Sequence, residues 1–84
     1  MRIDLRVPAG TVLMLRRGEW YTPGGDPATE DVLINVVAVG QEMSAGLVSA
    51  HGHDCNHHRP DCGRDHCWEG RVLVSAVRAE MGQP

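Results

Sequence analysis

The sequence predicts a small all-β protein of five or six strands, arranged either as a barrel or as a compact sandwich. Short apolar runs rich in β-branched residues recur along the chain, Gly and Pro clusters separate them, and no segment has the sustained periodicity of a long helix. With 84 residues the chain is too short to build a second core, so residues 1–84 are expected to form a single domain.

Three short strands and a loop are predicted in the first half of the chain. Residues 2–7 alternate between polar and apolar side chains, which is typical of a half-buried strand. The turn-forming residues 8–10 (Pro-Ala-Gly) should connect them to a second strand, residues 11–16, as an antiparallel hairpin. Residues 20–22 form a short aromatic strand candidate. Residues 23–29 hold Pro, Gly and Asp without periodicity and indicate a surface loop.

The second half contributes the remaining strands. Residues 32–39 are mostly apolar at both odd and even positions and are rich in Val and Ile, which favours a central strand covered on both faces. A capped helix over residues 29–40 is the alternative for this stretch. Residues 46–51 and 71–79 are two further β-prone runs, and residues 81–84 are expected to fray.

Between the last two predicted strands lies the most informative stretch, residues 51–68. It contains all three cysteines and all five histidines of the chain. Zinc prefers thiolate and imidazole ligands in a closed tetrahedron, so three Cys and one His make a complete structural site. A core with no Phe, two Trp and one Tyr also gains from such a staple. We therefore predict one structural Zn²⁺ held by this loop, before the last strand.

The predicted ligands are Cys55, Cys62 and Cys67 together with one histidine. His58 fits because Cys55-x2-His58 can wrap a metal in a tight turn, and Cys62-x4-Cys67 can return to complete the shell. His53 is a nearly equal candidate, since in a continued strand its side chain faces the same way as that of Cys55. The other imidazoles are weaker candidates: His51, His57 and His66.

The ligand types and total span of this set are similar to those of zinc knuckles. The Cys and His positions are exchanged and the gaps differ, so the likeness concerns spacing within one loop and not family membership. Two interpretations of this cluster require no metal. The histidines can be solvated surface residues, and two of the cysteines can pair as a disulfide, leaving a free thiol, in an oxidising compartment.

Composition and motifs favour a non-enzymatic, zinc-stabilised module for protein interaction or assembly. There is no phosphate-binding loop or nucleophile motif, and three thiolates blunt the Lewis acidity of a metal. An edge strand or an apolar face would contact a protein partner or a second copy of the chain. One alternative is single-stranded nucleic-acid binding through the knuckle-like loop and Trp68, which the net charge of −3 disfavours. The other is a metal or redox sensor.

The charged first residues and the composition of the chain suggest a location and an origin. The charged start and the lack of a long apolar segment predict a cytoplasmic protein without membrane contact. All eight basic residues other than His are Arg, and Phe is absent. Because Lys and Phe have AT-rich codons, these absences suggest a GC-rich bacterial or phage genome, and a phage protein of this kind would be virion-associated. Trp68 itself is expected to pack against the metal loop or under the strand that follows, rather than to recognise a ligand.

Overall fold

A five-stranded antiparallel sheet and one short helix make up the computed structural model, which describes residues 1–82. The order of the strands in the sheet is β1-β3-β4-β5-β2. The elements are β1 (Val12–Leu15), β2 (Trp20–Tyr21), β3 (Val32–Val39), β4 (Leu47–His53), β5 (Trp68–Leu73) and α1 (Val74–Glu80). The predicted all-β class is confirmed, with the Cys- and His-rich loop before the last strand. That loop spans residues 54–67, because β4 and β5 extend into both ends of the predicted segment 51–68.

One face of the sheet carries the core. Leu15, Ile34 and Val72 are completely buried there. The Trp20 and Trp68 rings meet edge to face with their centroids 5.4 Å apart, so Trp68 packs in the interior. Gly70 makes this possible, because a Cβ at that position would lie 2.8 Å from Cζ2 of Trp68.

Strand β3 confirms the strand prediction for residues 32–39 over the helical alternative. It pairs with β1 on one side and with β4 on the other, so it lies inside the sheet. Ile34 and Val36 are buried, whereas Leu33 and Asn35 on the opposite face stay partly exposed. The outer face is thus only partly covered, and the core lies on the inner face alone.

The predicted hairpin between residues 2–7 and 11–16 is wrong, although the alternating burial of the first segment is right. Leu5 is buried, but the segment makes only an isolated bridge, from Arg2 to Glu42. The side chain of Gln41 takes the place of a neighbouring strand. Its Oε1 accepts the Leu5 N–H at 2.6 Å, and its Nε2 donates to the Leu5 carbonyl at 2.6 Å.

The last predicted strand, residues 71–79, changes to a helix halfway. Strand β5 ends at Leu73, and α1 then buries Val74 and Val77, whose spacing of three places both on one helical face. Met81 packs against the core, so the predicted frayed tail does not begin at this residue; Gln83 and Pro84 lie outside the described residues. Glu80 at the end of α1 accepts the backbone N–H of Met14 at 3.0 Å.

A two-residue turn at Ala45 and Gly46 leads into β4. The backbone groups of Ser44 and Leu47 exchange two hydrogen bonds of 2.9 Å, and both central residues have positive φ, 54° at Ala45 and 79° at Gly46. This is the pattern of a type I′ turn, in which Asn-Gly is the preferred central pair. Ala45 therefore occupies a left-handed conformation that its Cβ disfavours.

Replacing Ala45 is expected to change stability in a direction set by this conformation. Ala45→Asn should stabilise the protein by about 0.5 to 1 kcal/mol, because Asn tolerates left-handed backbone. Ala45→Val should destabilise it, since a β-branched residue is strained there. Urea unfolding of the two variants and the parent checks both signs. Equal stability of the Asn and Val variants would contradict the assigned turn.

Within residues 1–82 the structure contains no helix that is long and apolar enough to span a membrane.

Candidate metal centre

His53 ends β4 and begins the metal centre. Side chains in a strand point alternately to its two faces, and Val48 and Ala50 point inward, so the side chain of His53 lies on the outer face of the sheet. His53 is nevertheless only 7% exposed. The loop of residues 54–67 provides the cover. Asn35, the cross-strand neighbour of His53 on β3, ties the loop down by donating from Nδ2 to the His57 carbonyl at 2.9 Å.

Four side chains converge here, one from the end of β4 and three from the loop: His53, Cys55, Cys62 and Cys67. Their donor atoms all lie within 4.8 Å of one another, and Sγ of Cys62 lies 3.3 Å from Nδ1 of His53. Zinc bond lengths put the edges of an ideal tetrahedron at about 3.8 Å between sulfurs and about 3.5 Å between sulfur and nitrogen. Small side-chain movements therefore suffice to close the four donors around one ion.

Hydrogen bonds order the chain at Cys67 and just after Cys55. The Cys67 N–H donates to the Gly52 carbonyl at 3.0 Å, which continues the pairing of β4 with β5 beyond the strand ends. After Cys55, the side-chain oxygen of Asn56 accepts the N–H groups of His58 at 3.2 Å and Arg59 at 3.1 Å. This Asx-type turn reverses the chain within four residues and lets the loop come back to the sheet.

The thiols of Cys55 and Cys67 respond to each other and to nearby polar groups. Desolvation by itself raises the pKa of Cys55, but hydrogen bonds from the Cys67 side chain and from the backbone of Asp61 outweigh it and lower the pKa from 9.0 to about 7. Desolvation raises the pKa of Cys67, and its side-chain hydrogen bonds with Cys55 and Asp54 add to the increase. Hydrogen bonds that favour a thiolate at Cys55 favour the form that binds metal.

All three cysteines are free thiols, and the donor set is the one typical of structural zinc. The predicted cofactor, one structural Zn²⁺, therefore fits the residues present. A closed set of three thiolates and one imidazole fills the tetrahedron with protein atoms. Such a site contributes to folding and leaves no coordination position for water.

The structure brings together four of the five predicted site residues and leaves out His58. The His58 side chain is exposed, and its ring lies against that of His57 with the centroids 4.1 Å apart. The fourth donor is His53. The signal for it was available in the sequence, because His53 and Cys55 share a side when the strand continues. The tight spacing of Cys55 and His58 favoured a histidine that lies outside the donor group.

His53→Gln removes a zinc ligand. Losing a residue that only hydrogen-bonds to a ligand weakens metal binding by roughly 10- to 100-fold, so we expect the affinity of this variant for zinc to fall by more than that. His58→Gln should leave the affinity unchanged. Competition with a chromophoric chelator measures both affinities. Loss of zinc from the His58 variant with retention in the His53 variant would reverse the assignment.

No family model, curated protein or solved structure matches this chain. The function is therefore inferred from the metal centre and from the surfaces around it.

Proposed function

We propose that the chain is a non-enzymatic, zinc-stabilised module for protein interaction or assembly. The observation that carries the proposal is the closed donor set of His53, Cys55, Cys62 and Cys67. Catalytic zinc keeps three protein ligands and an open position for water, whereas four protein donors leave none. The role of the metal in this proposal is to order residues 54–67 on a sheet with a small core.

The outer face of β1 and β3 supports a protein as the partner. Val12 and Met14 are each 38% exposed there, and Leu33 lies directly opposite Met14 across the two strands. We call these three residues the outer patch. Directly opposed residues on one sheet face contact each other, so the outer patch forms a continuous apolar surface. It borders the metal loop through Asn35, which pairs with Val12 and bonds the loop.

Charge and aromatic burial favour a protein over a nucleic acid as partner. The net charge of −3 repels a phosphate backbone. Single-strand binding also needs exposed aromatic rings on which bases stack, and the indoles of Trp20 and Trp68 are 8% and 7% exposed. The apolar outer patch of this acidic protein is therefore better matched to an apolar surface on a partner protein than to a nucleic acid.

The test compares the zinc-loaded chain with the double variant Val12→Glu/Met14→Glu. Sedimentation equilibrium measures self-association, and affinity capture identifies other partners. We expect either self-association or capture of one defined protein by the parent chain, with loss of it in the double variant. Ser75→Glu, an exposed substitution on α1, is the control and should behave like the parent. The proposal would be refuted if the parent chain stays monomeric and the double variant captures the same proteins as the parent.

A further inference from the structure

Beside the zinc centre, a second group of side chains, of types that can ligate a metal, lies on the outer face of β4 and β5. His51 and Glu69 are directly opposite each other in the two strands. His66, from the end of the loop, brings Nε2 to 2.6 Å from Oε1 of Glu69. The rings of His66 and His51 have their centroids 4.8 Å apart. Each of the three side chains therefore neighbours the other two, and none of them belongs to the zinc centre.

We propose that His51, His66 and Glu69 form a second, exchangeable site for a divalent transition-metal ion. Two imidazoles and one carboxylate are donors that suit Zn²⁺, Ni²⁺ and Cu²⁺. All three side chains are partly or largely exposed. Partly exposed side chains can change rotamer, so the three donors can be directed at one point.

The surroundings distinguish this site from the zinc centre. His51 and Glu69 line a cavity of about 290 Å³ on the same face, together with Ser49, Arg71 and Pro23. An ion bound by three protein donors keeps positions open toward this cavity, unlike a closed structural site. Binding there is therefore rapid and reversible, and the open positions accept water or a small anion beside the Arg71 guanidinium.

The position of His66 depends on the neighbouring zinc centre. His66 directly precedes the ligand Cys67, so the second site rests on the zinc-ordered loop of the proposed function. Measuring bound zinc in every sample separates the two ideas. A sample that lacks stoichiometric zinc contradicts the structural site. A zinc-loaded sample that does not bind a second metal ion contradicts only the second site.

Calorimetric titration of the zinc-loaded chain with Ni²⁺ tests the proposal. We expect one Ni²⁺ per chain, an affinity lower by roughly tenfold or more in His51→Gln and in Glu69→Gln, and one zinc retained in both variants. The matched control is His57→Gln/His58→Gln, which removes the other adjacent pair of imidazoles. This control should bind Ni²⁺ like the parent. Absence of Ni²⁺ binding, equal affinity in the His51 and Glu69 variants, or loss of binding in the control would each overturn the proposal.

Discussion

Removing zinc is expected to lower the melting temperature more than any surface substitution does. With zinc present at about 1,000 times its dissociation constant, binding stabilises the folded state by about 4 kcal/mol. In a protein of this size, a loss of that amount corresponds to a fall of roughly 16 to 32 °C in melting temperature. Circular dichroism melts of the reduced, zinc-loaded chain before and after chelation measure the change.

The variant Cys62→Ser should reproduce the effect of chelation even when zinc is present, because it removes one of the four donors. Asp65→Ser is the control within the same loop, since Asp65 is exposed and is not part of the donor group. It should melt with the parent. A freshly purified, reduced chain that contains no stoichiometric zinc and melts at the same temperature with and without added metal would refute the structural role.

Gly52→Ala is expected to destabilise the protein by about 3 kcal/mol, which is at the upper end for overpacking a core. A Cβ at position 52 would collide with the carbonyl oxygen of Asn35 and lie 3.1 Å from Cα of Val36. Both obstacles are backbone atoms of the paired strand β3, so neither can rotate away as a side chain does. Chemical denaturation measures the loss of unfolding free energy.

The same substitution should also weaken zinc binding, because Gly52 precedes the ligand His53 and accepts the hydrogen bond from the Cys67 N–H. Gly24→Ala serves as the control. The nearest atom to a Cβ at Gly24 is Oγ1 of Thr22 at 3.9 Å, which is an ordinary contact. Its stability should stay within about 0.5 kcal/mol of the parent. Equal stability of the two variants would show that β3 and β4 approach less closely at Gly52.

Alternation and composition were enough to predict most strands. Strand β3 follows from its run of Val and Ile, and β1 from the short apolar run after Gly10. The partner of residues 2–7 could not be predicted in the same way. It is the side chain of Gln41, and a side chain that replaces a strand leaves no periodic trace in the sequence.

The helix α1 was missed, and the fourth ligand was left open between His53 and His58, for a related reason. Residues 71–79 have high β-propensity, but the burial of Val74 and Val77 beside β1 and β5 decides in favour of a helix. At the metal centre, the sequence indicated a donor set for one zinc ion, and its three cysteines do lie close together. Choosing His53 over His58 requires knowing that β4 extends to position 53 and that the loop folds over its outer face.

The carboxylate of Glu80 has a consequence for solubility. Strand β1 is the first in the sheet order, and an uncovered edge strand offers free backbone groups to other chains, which is how fibrillar aggregation starts. Because the Glu80 carboxylate accepts a hydrogen bond from the Met14 N–H, a strand of another chain must displace the end of α1 before it can pair with β1 at this position. The short helix therefore acts as a gatekeeper. Val12 and Met14 can therefore stay exposed on this strand while the sheet is protected against adding foreign strands.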